Sequence, residues 1–432
     1  MAKKEIEHTE IEAPYELPEG WKWETLEKLC FIPITDGTHQ TPTYSDSDSG
    51  IPFISSKDVT KEFIDWSNIK YITKELHSEL YKRVAPQIDD ILLAKNGTTG
   101  VAAIVDTDKI FDIYVTLALI RPNKEIILPR FLLQVINSPI CKNQFDEHLT
   151  GIGVPNLHLR DIRTTMIPLP PTLAEQQRIV NRIESMFAKL DEAKEKAQNV
   201  VDGFETRKAA ILHKAFTGEL TAKWRKENGV SDDSWEEKLF DSCIAKMQNG
   251  LSKRSGNEGE ETVVLRLANM GEDDFDVSDL RTIKLTSKEK NNYSLAKNDV
   301  VMIRVNGSKT NVGRQLLVKN NKGWSFCDHI IRIQFEVFCL PNYMVYFSKT
   351  KEYIDYVQDN MVSSAGQNTI SRKGLSNLFL KVPTLPEQQE IVRILDIIIE
   401  KENKAKQAAG AVLDQIALLK KSILARAFRG EL

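Results

Sequence analysis

The sequence predicts an α+β protein in which two β-rich domains are each followed by a long helix. The main observation is a phrase that occurs twice, "TLAEQQRIV" at 172–180 and "TLPEQQEIV" at 384–392. The second is the strand-like alternation of apolar residues before each phrase. A period of about 212 residues is far longer than that of a solenoid, so each repeat is a domain together with its helix.

The repeat continues without gaps through both helices and ends alike, with "ILHKAFTGEL" and "ILARAFRGEL". In each copy, apolar residues recur at alternating steps of three and four over about six heptads, which is typical of a coiled-coil seam. Thr172 and Thr384 are suitable N-terminal caps, with a glutamate three residues later. The predicted seam residues are Ile179, Ile183, Leu190, Phe204, Arg207, Ile391, Leu395, Ile398, Glu402, Ile416 and Ile423.

Such helices could also form a zipper between two copies of the chain. Two matched copies within one chain favour an intramolecular pair, and the segment between them is too large for a hairpin loop. It must therefore be a folded domain. The predicted organisation is an N-terminal arm 1–16, a first domain 17–168, a first helix 169–220, a linker 221–232, a second domain 233–382 and a second helix 383–432.

The two domains share an order of elements but differ in their loops. "DDILLAKNGTTG" in the first corresponds to "NDVVMIRVNGSKTNVG" in the second. Different loops on one scaffold indicate divergent binding specificities. The stretch "GSKTNVGR" has neither the spacing nor the lysine of a phosphate-binding loop, and we interpret it as a strand-ending loop.

Composition narrows the class of protein. The net charge of −3 gives no general indication of nucleic-acid binding, so any DNA contact must come from local basic patches or from the field of a partner. We expect no signal peptide, no membrane span and no metal site. The five cysteines form no CxxC pair and suit a reducing cytoplasm. The lack of a recognisable catalytic motif favours a binding or assembly subunit over an enzyme.

If these loops bind nucleic acid, the candidates for base contact are their polar or basic side chains, because Arg and Lys suit guanine whereas Asn and Gln suit adenine. The best candidates follow the apolar runs that end at Lys95 and Arg304. In the first domain the full set is His39, Gln40, Lys57, Lys95, Asn96, Thr98, Thr99, Asn156, His158 and Arg160. In the second domain it is Lys253, Arg254, Arg266, Asn269, Arg304, Asn306, Ser308, Lys309, Gln367 and Asn368.

The doubled "EQQ.I" and "AF.GEL" segments, together with "DGTHQTP" and "GIPFISSKDV", resemble the specificity subunit of type I restriction-modification systems along nearly the whole chain. The resemblance implies that the domains are target-recognition domains, each reading one half of a split, asymmetric sequence in double-stranded DNA. It also implies that the two helices pair antiparallel, set the spacer and dock two modification (methyltransferase) subunits, with restriction subunits completing the nuclease.

By the same resemblance the chain holds no cofactor, and S-adenosylmethionine, ATP and magnesium belong to partner subunits. Antiparallel pairing would bring Arg207 late in one helix beside Glu402 early in the other, so we predict a partly buried ion pair. Two alternatives stay open: a stand-alone nuclease or methyltransferase, and a coiled-coil adaptor that does not bind DNA.

Overall fold

The computed structural model describes residues 14–149, 155–320 and 322–432. The first domain begins after the arm, of which residues 1–13 lie outside the described part. Its strands are β1 Lys22–Thr25, β2 Thr35–Asp36, β3 Tyr44–Ser45, β4 Ile51–Ile54, β5 Lys70–Ile72, β6 Ile91–Ala94, β7 Ala102–Ile104, β8 Asp112–Ile113, β9 Leu117–Ile120 and β10 Met166–Leu169, and its helices are α1 Lys74–Arg83, α2 Pro129–Ile136, α3 Pro139–Glu147 and α4 Leu159–Thr164.

Helices α5 Leu173–Asp202, α6 Phe204–Phe216 and α7 Ala222–Asn228 lead to the second domain, and α12 Leu385–Ala427 follows it. The strands of that domain are β11 Glu236–Leu239, β12 Ile244–Asn249, β13 Glu260–Leu265, β14 Thr282–Leu285, β15 Val300–Ile303, β16 Val305–Asn306, β17 Gln315–Leu317, β18 Ser325–Phe326, β19 Ile330–Phe335, β20 Val362–Ser364, β21 Gln367–Thr369 and β22 Phe379–Val382, and its helices are α8 Ser287–Tyr293, α9 Pro341–Phe347, α10 Lys351–Asn360 and α11 Arg372–Leu375.

The two domains have matching sheets. A four-stranded sheet has the order β2-β9-β6-β7 in the first domain and β12-β19-β15-β17 in the second. A further sheet contains three matching strands, in the order β5-β4-β8 in the first domain and β14-β13-β18 in the second. The pairs β4–β8 and β13–β18 are parallel. The ladders β1–β10 and β11–β22 connect the two ends of each domain. This correspondence confirms that the repeat includes the domains as well as the helices.

The chain folds into two compact units, one comprising Met1–Gln198 with Ala411–Leu432 and the other Asn199–Gly410. Each unit therefore holds one domain and a part of both long helices. The apolar core of the first unit includes Ile179 and Ile183 of α5 together with Leu424 of α12. The core of the second includes Leu212 of α6 together with Ile391 of α12.

Within each unit an early part of one helix packs beside a late part of the other, as antiparallel packing requires. Continuous coiled-coil pairing along the whole length of both helices stays a prediction. Of the predicted seam residues, Ile179, Ile183, Phe204, Ile391, Leu395 and Ile416 are buried, whereas Leu190, Ile398 and Ile423 are half-buried.

The first long helix is not continuous, in contrast to the prediction for 169–220. It starts at Leu173 and is interrupted at Gly203. A Cβ at Gly203 would lie 2.5 Å from Nη1 of Arg207, so the absent side chain makes room for that guanidinium. Arg207 donates from Nη2 to the Val200 carbonyl (2.9 Å) and from Nε to Oε2 of Glu402 (2.8 Å). The predicted Arg207–Glu402 ion pair is therefore confirmed.

The predicted linker 221–232 is also different in the structure, because most of it folds as α7. Arg225 of this helix is buried and donates from Nη1 to Oε1 of Glu387 (2.6 Å). Thr221 donates to the same carboxylate oxygen (2.6 Å). The buried pair ties this segment to the start of α12, so it is a packed element of the second unit.

The first glutamine of the repeated "EQQ" phrase, Gln176 in one copy and Gln388 in the other, is buried. Gln176 accepts from the Leu128 amide (2.8 Å) and donates to the Ile126 carbonyl (3.0 Å). Gln388 accepts from the Leu340 amide and donates to the carbonyl of Phe338, both at 2.8 Å. In both copies the buried amide satisfies the backbone just before a domain helix, α2 or α9, and so fixes the domain to the long helix that follows it.

Candidate nucleic-acid interface

The first domain gathers a lysine, an arginine and a histidine around one buried carboxylate. Asp36, at the end of β2, is 4% exposed. Its oxygens lie 3.2 Å from Lys95 Nζ, 3.3 Å from Arg83 Nη2 and 3.2 Å from His39 Nε2. The structure thus brings together His39 and Lys95, which are far apart in sequence. Asp36 joins them, and it was not among the predicted residues because these were chosen as basic or amide side chains.

A glycine positions the loop that carries His39. A Cβ at Gly37 would lie 2.0 Å from the Ile113 carbonyl oxygen, and one at Gly250 would lie 2.1 Å from the Cys327 carbonyl oxygen. Both glycines therefore permit a close parallel approach of the loop to the strand β8 or β18 region, seen as the bridges Thr38–Tyr114 and Leu251–Cys327. The same backbone contact places the Lys253–Arg254 loop in the second domain.

In the second domain, three side chains lie around Asp328. Arg254 Nη2 donates to its carboxylate (2.7 Å), and Arg304 Nη1 donates to its carbonyl (3.3 Å). His329 Nδ1 lies 3.4 Å from the same carboxylate. Among the described residues, no carboxylate is within salt-bridge distance of Arg304, so its charge is not neutralised by an ion pair.

Lys95 and Arg304 occupy corresponding positions but have different surroundings. The Lys95 amide donates to the Thr116 carbonyl, and the Arg304 amide donates to the His329 carbonyl. The position of Asp36 in the first domain corresponds to Asn249 in the second, because both are paired with the equivalent residue of the neighbouring strand. Loss of that carboxylate leaves Arg304 free of the inward ion pair that holds Lys95.

The loops that follow these residues meet the segment before the last helix of each domain. Asn96 forms an isolated bridge with Asn156, and Asn306 of β16 pairs with Asn368 of β21. The structure therefore brings the two groups of candidate loops together in each domain. Only the second domain has the extra sheet β16-β21-β20 at this place in the described part of the chain.

Many candidate side chains are accessible. His39, Gln40, Lys57, Thr98, His158, Arg160, Arg254, Ser308, Lys309 and Gln367 are exposed, and Asn96, Asn156, Lys253, Arg266, Arg304 and Asn306 are half-buried. Several accessible cations have carboxylate partners, such as Arg266 with Asp279 (2.8 Å) and Lys253 with Glu289 (3.0 Å). Base contact by these residues stays a prediction.

Four candidates face inward in this structure, and base contact by them stays a prediction. Lys95, Thr99, Asn269 and Asn368 are each less than a tenth exposed. Asn269 donates to the carbonyls of Asp276 and Asp279, both at 3.0 Å. Asn368 donates to the Gly307 carbonyl (2.9 Å). The side-chain amides of Asn269 and Asn368 thus hold the loops.

One cluster in the described residues has the side-chain types of a metal site, namely Cys327, Asp328 and His329. The Asp328 carboxylate is already engaged by Arg254, whose positive charge opposes a bound cation. Burial raises the pKa of the Cys327 thiol, which disfavours the thiolate that a metal requires. We therefore assign no metal to this cluster.

None of the helices in the described part of the chain is long and apolar enough to cross a membrane. The family model of the type I restriction modification DNA specificity domain matches residues 18–201 and 240–409, once for each domain with its helix. The chain belongs to this family.

Curated relatives agree with this assignment along nearly the whole chain. The chain is 29% identical over 425 residues to the type I restriction enzyme StySPI specificity subunit of Salmonella potsdam, covering 96% of this chain and 90% of that one. It is 26% identical over 423 residues to the EcoKI specificity subunit of Escherichia coli K12, with the same coverage.

Solved structures share the fold. A chain from a structural study of complex assembly and conformational transition in the type I R-M system has a TM-score of 0.68 at 20% identity, covering 97% of this chain and all of that one. The HsdS subunit from Thermoanaerobacter tengcongensis has a TM-score of 0.61 at 21% identity, covering 97% and 99%.

Proposed function

We propose that this chain is the DNA sequence-recognition subunit of a type I restriction-modification complex. Each domain reads one half of a bipartite, asymmetric target. The observation that carries the proposal is the presence of two copies of one scaffold with different chemistry at corresponding loop positions, Lys95 with Asp36 in one copy and Arg304 without a carboxylate among the described residues in the other. Membership of the specificity-domain family supports it.

In this proposal the chain supplies recognition and assembly, whereas catalysis belongs to its partners. The long helices set the spacer between the half-sites and dock two modification subunits, which bind S-adenosylmethionine and methylate adenine. Restriction subunits, which use ATP and magnesium, join the same complex. A recognition subunit that holds the duplex while a modification subunit transfers the methyl group is suited to this reaction, because the target adenine must leave the base stack. A coiled-coil adaptor without a nucleic-acid role is not favoured by the family.

A domain exchange tests the proposal. The segment 233–382 is replaced by the second domain of another family member, and the methylated sites of cells are sequenced. We expect one half of the target to change and the other half to remain, because each domain is attached to its own long helix through Gln176 or Gln388. A change in both halves, or no change in either, contradicts the assignment of one half-site to each domain.

A pair of single substitutions tests the reading loops. Arg304→Ala is expected to weaken binding to the target by about 1–3 kcal/mol if the guanidinium contacts guanine. Lys95→Ala is the matched comparison, since it removes a cation from the corresponding position where Asp36 already holds it inward. Equal losses of binding in the two variants would show that the difference in ion pairing does not decide which residue reaches DNA.

A further inference from the structure

A concave basic pocket lies on the second domain. It has a volume of about 260 Å³ and is formed by four separate segments of the chain. The cations on its walls are Lys253, Arg254, Arg266 and Arg281, with His329 beside them. Its apolar lining includes Val264, Leu267 and Ile283. Four cations brought together from distant parts of the sequence produce a local positive field in a chain whose net charge is −3.

The charges of the pocket are only partly compensated. Three of the cations are paired with carboxylates: Lys253 with Glu289, Arg254 with Asp328 and Arg266 with Asp279. These ion pairs fix the directions of the cationic groups and leave one cation in excess.

The excess cation is Arg281, whose guanidinium donates to the carbonyl of Arg254. Within the described residues it has no carboxylate partner. In addition, Nε of Arg266 is buried and has no hydrogen-bond partner there. An unneutralised guanidinium in a pocket lined by three further cations favours an anionic ligand.

The corresponding place in the first domain is less basic. The strand registers put Lys70 at the position of Arg281, but the other cations of the pocket have uncharged counterparts. Ser55 has the position of Arg266, because each amide is capped by a side chain three residues later. The bridges Thr38–Tyr114 and Leu251–Cys327 put Gln40 at the position of Lys253. The shared strand contact puts Thr116 at the position of His329. The cation at the Arg281 position is therefore shared by the two domains, whereas Lys253 and Arg266 are particular to the second.

We infer that this pocket binds a backbone phosphate of the DNA next to the half-site read by the second domain, with Arg281 as its main contact. The inference rests on the proposed function and adds a positioning contact to it. Convergent cations around a cavity suit a tetrahedral anion, whereas base reading needs one flat donor edge in a groove.

The test measures binding of the complete target duplex by the chain copurified with its modification subunits, between about 50 and 200 mM salt. Loss of one phosphate contact lowers the slope of log K against log salt by about 0.9, which corresponds to roughly eightfold weaker binding at 0.1 M salt. Arg281→Gln should show this loss for target and unrelated duplex alike, and Arg281→Lys should restore most of the slope.

Lys284→Gln is the matched control, since it makes the same charge change in the same stretch of chain, three residues further on. Arg281 and Ile283 line the pocket, and alternation along β14 directs Lys284 to the other side. Equal slopes for Arg281→Gln, Lys284→Gln and the wild-type complex would overturn the inference. A changed base preference with an unchanged slope would also overturn it, in favour of base reading. Failure of the wild-type complex to prefer its target would instead refute the proposed function.

Discussion

The Arg207–Glu402 ion pair allows a quantitative test of the helix pairing in the second unit. The perturbation is a double-mutant cycle with Arg207→Met and Glu402→Met, which replaces both charges by flexible apolar side chains. The atoms in contact are 2.8 Å apart, and the side chains are 38% and 24% exposed. Exposed pairs contribute about 0.2–1 kcal/mol, whereas breaking a buried pair costs about 3–5 kcal/mol.

We therefore expect a coupling free energy of about 1 kcal/mol, because partial exposure screens the attraction and the geometry is good. Glu402→Met alone should cost little more than the coupling, since Arg207 retains its bond to the Val200 carbonyl. The double variant should be close to the wild type in stability, because desolvation offsets most of the attraction. The pair's main effect would then be on helix register, since a shift of either helix separates the charges.

Native-state hydrogen exchange measures the free energy of local opening in α6 and in the first half of α12, where the pair lies. The control is the exposed pair Lys196–Glu192 within α5, whose atoms are 2.6 Å apart and whose side chains are 74% and 66% exposed. It should give a coupling of about 0.3 kcal/mol. A coupling for Arg207–Glu402 within about 0.3 kcal/mol of zero would refute the reasoning, because distant sites are additive to that accuracy.

Three further substitutions test buried polar contacts, with unfolding as the measurement. Gln388→Ala should destabilise the second unit by about 2–4 kcal/mol, because the half-buried Leu340 amide and Phe338 carbonyl lose their partner; a cost near zero would mean that water replaces the side chain. Arg225→Met should cost about 3–5 kcal/mol, since the fully buried Glu387 carboxylate loses its cation, and a smaller loss on Arg225→Lys would confirm the electrostatic cause. Lys95→Ala should lower stability by about 2 kcal/mol through Asp36 while leaving the sequence preference for DNA unchanged, and a changed preference would contradict its inward role.

The repeated phrase was sufficient to predict the architecture, because its information is local. The spacing of Ile179, Ile183, Ile391 and Leu395 defines an apolar stripe on a helix, and the structure buries all four. The similarity of the two domains was also predictable, because short apolar runs between polar loops recur in both. Two of these runs form β6 and β15. The sequence also shows that Glu402 is a charged residue at a position of the apolar stripe. Its contact with Arg207 was predicted from the antiparallel direction of the two helices.

The interruption of the first helix and the folding of the linker were not predictable in this way. A glycine inside a helix can either continue the helix or interrupt it, depending on which groups pack beside it. Beside Gly203 the space is filled by the Arg207 side chain. The segment around Arg225 has the polar composition of a linker. It becomes a packed helix because the buried Glu387 carboxylate needs a cation, and that carboxylate lies 162 residues later in the chain.

The sequence by itself determined the order of the elements, the repeat and the family, since heptads, caps and strand alternation depend on neighbours within a few residues. Only the tertiary structure decided which loop side chains remain available to a ligand. Lys95 and Arg304 look alike in sequence, yet one is buried against Asp36 and the other has no carboxylate partner in the described structure. The reason is physical: the burial and neutralisation of a charge depend on atoms that folding brings together from distant strands, and no local pattern carries that information.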